Sequence, residues 1–171
     1  MAALIPTASV TGSGTMTLAG PSTNANQTIT IPDATGTMML NGPAFGYYQS
    51  SAQTLSAATF TKITLTSSLF DTNSCFASSR FTPTVSGYYQ FNGSVTVNGT
   101  SQEIISALYK NGSAYYYSND PLSAYQTGVS GIIYCNGSTD YVELYGFFSL
   151  GGNTNASQVR TNFSGAMVRG V

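Results

Sequence analysis

The sequence of 171 residues has no histidine and very little charge. Without imidazole there is no Ser–His or Cys–His nucleophilic pair and no imidazole metal site. Charged residues make up 6% of the chain, where about 25% is usual, so the hydroxyls and amides of Ser, Thr, Asn and Gln must supply solubility. The five cations are scattered and the net charge is −1. That leaves no basic stripe to release counterions from phosphates, so no nucleic-acid partner is expected. Anionic membrane surfaces are equally poor partners. No run approaches the roughly 18 apolar residues of a membrane-spanning helix, so no membrane insertion is expected. The opening MAALIPTASV lacks both a cationic start and an apolar stretch of about 7–15 residues, and no signal peptide is expected.

Chemistry-bearing patterns are also scarce. No Gly-rich loop opens a helix, which removes a phosphate cradle. Cys75 and Cys135 are the two cysteines; with neither CxxC spacing nor a secretory signal, they read as reduced, buried small residues. Asn-X-Ser/Thr triplets begin at Asn26, Asn92, Asn98, Asn111, Asn136, Asn155 and Asn162, as chance supplies in a chain rich in Asn, Ser and Thr. The acids are Asp33, Asp71, Glu103, Asp120, Asp140 and Glu143. Glycoside hydrolysis needs two carboxylates about 5–9.5 Å apart across one bond. Asp140 and Glu143, three apart on a presumed strand, point to opposite faces. The acids read as surface-hydrating or turn-satisfying groups rather than ligands of an ion on a symmetry axis. No catalytic residue, metal or cofactor is expected, and the chain does not read as an enzyme.

What is present is an apolar fraction of 42% with 12 Tyr and 9 Phe, enough to bury a core and to exclude disorder. Residues 1–44 are a different material from the rest. They write one phrase twice, GTMTLAGP at 14–21 and GTMMLNGP at 36–43, after the echoes IPTA and IPDA. The alternating runs TMTL, QTITIP and TMML, closed by Gly or Pro, read as strands of about 4–5 residues. Units of this kind need neighbouring copies to bury their apolar face, so the missing neighbours should come from other chains.

From residue 45 onward the runs lengthen. TFTKITLTSS (59–68), SGYYQFNGSVTVNG (86–99), QEIISALYKNG (102–112), TGVSGIIYCNGSTDYVELYGFF (127–148) and TNFSGAMVRG (161–170) are rich in Val, Ile, Thr, Tyr and Phe. Asn98-Gly99, Asn111-Gly112 and Asn136-Gly137 are hairpin-type signals. No 3.6-residue period survives beyond a turn. Eight or more short strands predict an all-β sandwich or barrel.

Four stretches of this region, taken in order, resemble one family: RFTPTVSGYYQFNGSVTV through Phe81, Pro83, Gly87, Tyr88 and Phe91; ISALYKNGSA through Leu108, Lys110, Asn111 and Gly112; GIIYCNGSTDYVELYGF through Asp140, Val142 and Leu144; and NFSGAMV through Phe163, Ser164 and Gly165. The family is the globular head of complement component 1q and its tumour-necrosis-factor-like relatives. The resemblance implies a ten-stranded jelly roll and a homotrimer packed around a three-fold axis. This chain lacks a Gly-X-Y stem and sets two residues between Gly137 and Asp140, so the family's calcium and ligand residues do not carry over. The segment QTITIPDATGTMML is similar to short β repeats of bacteriophage virion and tail-fibre proteins, which form intertwined trimeric stems.

Together these readings imply a jelly-roll head (45–171) on a stalk or foot (1–44), in a trimeric capsid decoration, or cement, protein on the virion surface, assembled in the host cytoplasm. Leu4, Ile5, Met16, Leu18, Met38, Met39 and Leu40 are the candidates for docking on the major capsid protein, or equally for burial within the stalk. The alternative is the tip of a tail fibre or appendage, seated on a tail-fibre or baseplate protein and binding host-surface glycans. Its candidate surface is Tyr115, Tyr116, Tyr117 and Asn119, where clustered tyrosine offers amphipathic contact area. Against this, alternate tyrosines of the run would face the core or the trimer interface. A fibre also needs reach, and 44 residues give little even at about 3.3 Å each. Gly87-Tyr88-Tyr89-Gln90-Phe91 reads as core and trimer packing.

Overall fold

The computed structural model describes residues 42–171. The repeat and its candidates Leu4, Ile5, Met16, Leu18, Met38, Met39 and Leu40 lie outside the described residues.

The described chain is all β, as the sequence predicts. In order, its strands are β1 (Ala44–Tyr48), β2 (Thr54–Leu55), β3 (Thr61–Lys62), β4 (Ser67–Asp71), β5 (Phe76–Ala77), β6 (Arg80–Phe81), β7 (Ser86–Asn98), β8 (Gln102–Lys110), β9 (Ser113–Ala124), β10 (Gln126–Asn136), β11 (Val142–Phe148), β12 (Gly152–Thr154) and β13 (Asn162–Gly170). A seven-stranded sheet runs β2-β12-β7-β13-β1-β4, with β10 also paired to β7; a six-stranded sheet runs β5-β6-β11-β8-β9, with β3 also paired to β11. The two sheets form a jelly-roll sandwich.

Alternation explains which face each strand buries. Along β7, Tyr89, Phe91 and Val95 have no exposed surface, while Tyr88 keeps 43%. Along β10, Ile133 and Cys135 are buried between the exposed Ile132 and Tyr134. The inward side chains meet as a nest of rings. Phe45 packs 4.4 Å from Phe81 and 4.9 Å from Phe163, and Phe91 lies 5.7 Å from Phe81, measured between centroids. Each such pair contributes about 0.5–1.5 kcal/mol beyond its buried area. Both cysteines are buried and unbonded.

Two sequence expectations need correction. The run 59–68 is not one strand: only Thr61–Lys62 and Ser67–Asp71 pair, β3 with β11 and β4 with β1. Between them Ile63 still donates its N–H to Leu144 O of β11 at 2.9 Å, whereas Leu65 donates its N–H to Ser79 Oγ at 2.8 Å rather than to a strand. Of the three Asn-Gly pairs read as hairpin signals, only Asn111-Gly112 closes a hairpin, between β8 and β9, with φ of 52° and 79°; positive φ at both positions is what this turn type needs. Asn98-Gly99 and Asn136-Gly137 carry the chain from one sheet to the other.

The layout also sets direction. Ala44 pairs with Ala166 on β13, and Met167 N–H donates to Pro43 O at 3.0 Å. The described chain therefore enters at the end where Val171 N–H meets Ser86 O, at 3.3 Å.

Candidate interaction surfaces

Among the described residues, Asp71, Glu103, Asp140 and Glu143 are engaged in structure. Asp71 accepts the backbone N–H of Cys75 (2.9 Å) and of Phe76 (3.0 Å), closing its turn. Glu103 accepts Asn119 Nδ2 at 3.2 Å. Asp140 takes Lys110 Nζ at 3.0 Å, Asn111 Nδ2 at 2.7 Å and the N–H of Asn136 at 3.0 Å. Burial works to raise its pKa, but these hydrogen bonds and the Lys110 charge outweigh it and hold the carboxyl below its ordinary value. Glu143, with 3% of its side chain exposed, holds Arg80 Nε at 2.8 Å and Lys62 Nζ at 3.2 Å on one oxygen. Asp140 and Glu143 thus serve separate cations. Among the described residues, no three of Cys, Asp and Glu come together as metal ligands.

Interaction surface is plentiful by contrast. Outward residues of β7 and β10 build a neutral amide and hydroxyl ladder. Gln90 Nε2 donates to Ser130 Oγ (2.8 Å), Ser130 Oγ to Asn92 Oδ1 (3.0 Å), and Gln126 Nε2 to Ser94 Oγ (2.7 Å). At one end sits an apolar group: Tyr88 and Tyr134 with centroids 5.5 Å apart, and Ile132 at 50% exposure. Sequence reasoning assigned Tyr88 to packing but missed Ile132 and Tyr134. The signal was the alternation in GIIYCN, whose odd partners, Ile133 and Cys135, are buried.

The Tyr115–Tyr117 run lies on β9, and none of the three enters the core: Tyr115, Tyr116 and Tyr117 are 51%, 41% and 68% exposed. That corrects the core half of the sequence expectation. A register shift in the β8–β9 pairing near Leu108/Tyr109 sets Tyr117 opposite Ala107 and Tyr116 opposite Leu108. Tyr116 closes the gap between the two sheets, because a Cβ on Gly131 of β10 would fall 2.5 Å from its ring. Among the described residues, β9 pairs only with β8, and β10 only with β7. Two long sheet edges thus run side by side, a geometry that invites cover by another chain.

With this geometry the chain has the complement/tumour-necrosis-factor type of jelly-roll fold, and solved structures bear that out. The globular domain of zebrafish complement 1qA protein is similar at TM-score 0.60 and 15% identity, over 77% of this chain and all of that one. Murine APRIL at pH 8.0 is similar at TM-score 0.61 and 7% identity, over 75% of this chain and all of that one. PRD1 vertex protein P5 is similar at TM-score 0.50 and 17% identity, over 75% of this chain and 96% of that one. No protein-family model matches the sequence, and no curated protein matches it.

Proposed function

We propose that the protein is a homotrimeric bacteriophage virion component, a capsid decoration protein that docks on the major capsid protein through residues 1–44 and projects its jelly-roll head from the virion surface. The observation that carries this is the pairing of the complement-type head with a sequence repeat that resembles those of virion proteins, in a chain of 6% charge. The fold likeness to a vertex protein supports it. Trimerisation is supported by two different exposed patches, the double edge of β9 and β10 and the Tyr88, Ile132 and Tyr134 group on the outer sheet face. Packing one against the other is head-to-tail, and such contacts close into a ring where the rotation between copies is one-third of a turn. The foot then bridges adjacent shell subunits. Because that binding exists only in the assembled shell, it shifts the shell towards its closed state.

The exposed tyrosines favour one second reading, a receptor-binding tail tip that recognises host glycans. Copy number per purified virion, by quantitative mass spectrometry against the shell protein, separates the two. Copies in proportion to shell sites support decoration, a few trimers per particle support a tail appendage, and absence from particles overturns both. Deletion of 1–44 should leave a folded trimeric head that no longer attaches. A truncated head that still coats particles would remove the foot assignment.

A further inference from the structure

The outer face of the six-stranded sheet carries a second constellation, distinct from the edge and face just described and from the Tyr115–Tyr117 run. Along β11 the inward residues Val142, Leu144 and Phe148 have no exposed surface. The alternate residues Tyr141, Glu143, Tyr145 and Phe147 face outward. Around them the neighbouring strands and turns add more rings. Tyr109 stacks on Tyr145 at 3.9 Å and 19°, and Phe60, itself 38% exposed, lies 5.2 Å from Phe147 and 6.1 Å from Tyr109. This is an aromatic strip on a solvent-facing sheet.

At its corner two cations meet one carboxylate. Arg80 spends Nε on Glu143 at 2.8 Å, and its guanidinium carbon lies 3.7 Å from the centre of the Tyr141 ring. Lys62 Nζ reaches the same Glu143 oxygen at 3.2 Å and Ser78 O at 3.1 Å. The side chains of Lys62 and Arg80 remain 35% and 40% exposed, whereas that of Glu143 is 3% exposed. The corner therefore carries a surplus positive charge in a protein with five cations in all. The guanidinium is pre-oriented by ring and carboxylate and has further N–H donors in its fork. Burial, then Glu143 and the neighbouring Tyr109 and Tyr141, raise the Tyr145 pKa against the opposing pull of Arg80 and keep that phenol a neutral hydrogen-bonding group.

We infer that the aromatic strip of Phe60, Tyr109, Tyr145 and Phe147, with Arg80 and Lys62 at its corner, binds a carboxylate-bearing oligosaccharide. The C–H face of a sugar ring lies on the aromatic rings, and its carboxylate meets the Arg80 fork, the planar pairing that guanidinium makes best. The surplus charge selects an acidic sugar. It also disfavours a second copy of the same face, which would bring like charges together. One weak site per subunit would be strengthened by avidity on an oligomer.

The test uses the purified full chain on immobilised oligosaccharides bearing glucuronate, galacturonate or sialate, each beside its carboxyl-reduced counterpart. Saturable binding to at least one acidic probe is expected, weaker by about tenfold or more on the reduced form, the scale of a lost charge-assisted pair. Arg80→Gln should erase that difference, and Phe60→Ser, at an exposed position, should weaken both forms, with circular dichroism confirming the fold of each. Three results overturn the inference: no binding to any acidic probe, equal binding to the reduced forms, or undiminished binding by both folded variants. The assay needs no virion, so the attachment role and this site stand or fall separately.

Discussion

Gly165 lies mid-strand in β13, flanked by Phe45 on β1 and Phe91 on β7, and its missing side chain is what lets those rings meet. A Cβ there would stand 2.8 Å from Phe45 Cε1, 2.9 Å from Phe91 Cδ1 and 2.9 Å from the Gln90 carbonyl oxygen. None of the three can withdraw. Phe45 and Phe91 have no exposed surface, Phe45 is clamped by Phe81 at 4.4 Å and Phe163 at 4.9 Å, and the carbonyl belongs to the central strand β7. Overpacking by one methyl costs about 1–3 kcal/mol. Alanine recovers about 0.4–1 kcal/mol by restricting the unfolded chain. Gly165→Ala should therefore destabilise by about 1–2 kcal/mol. Gly170, on the same strand, has nothing within 4 Å of a built Cβ, so Gly170→Ala should be neutral or gain up to about 1 kcal/mol. Urea unfolding at one fixed protein concentration reads both, since the stability of an oligomer depends on concentration. Equal midpoints for the two variants, or a Gly165→Ala midpoint at or above the parent, would refute the packing argument.

Other tests follow from the buried polar groups. The carboxyl of Asp140 sits below its ordinary value in the fold, so its stabilisation is full above the unfolded carboxyl value of about 3.9 and is lost as pH falls through the folded one. Asp140→Asn should cost about 1–3 kcal/mol at neutral pH and the gap should close in acid; a gap constant with pH contradicts it. Burial pushes the Cys135 thiol up to about 11, so an aromatic disulfide reagent at pH 8 should label it no faster than the protein unfolds. Rapid labelling of Cys135 in the native protein would place it elsewhere than the core. In the β5–β6 turn, Ser78 and Ser79 have φ of 51° and 57°. Ser78→Gly should be neutral or gain up to about 1 kcal/mol by relieving the left-handed backbone. Ser79→Gly should lose about 1 kcal/mol, because Ser79 Oγ accepts Leu65 N–H at 2.8 Å and donates to Leu65 O at 3.3 Å. The reverse order in thermal melts would overturn the assignment.

Strand identity was legible in the sequence because alternation is local. Ser86–Asn98, Gln102–Lys110 and Asn162–Gly170 could be read as strands from β-rich runs and turn residues alone, and the absence of helix among the described residues needed nothing beyond the missing 3.6-residue period. The resemblance phrases located the jelly roll for a similar reason: residues such as Phe81, Phe91 and Gly165 recur where inward rings must interlock. Sheet membership was not legible. Asn98-Gly99, Asn111-Gly112 and Asn136-Gly137 share the same two letters, yet one closes a hairpin and two cross the sandwich. A dipeptide specifies a chain reversal, while the strand that accepts the returning chain is chosen by packing across about 10 Å of core. The surfaces depended on the same long-range choice. Lys62, Arg80 and Glu143 lie far apart in sequence and meet only because β3, β6 and β11 share a sheet. Tyr116 stays out of the core because β9 and β10 end different sheets side by side, leaving its ring over Gly131. Local side-chain periodicity determined what each strand buries; only the tertiary arrangement of the two sheets decided which outward faces come together, because that depends on partners distant in the chain.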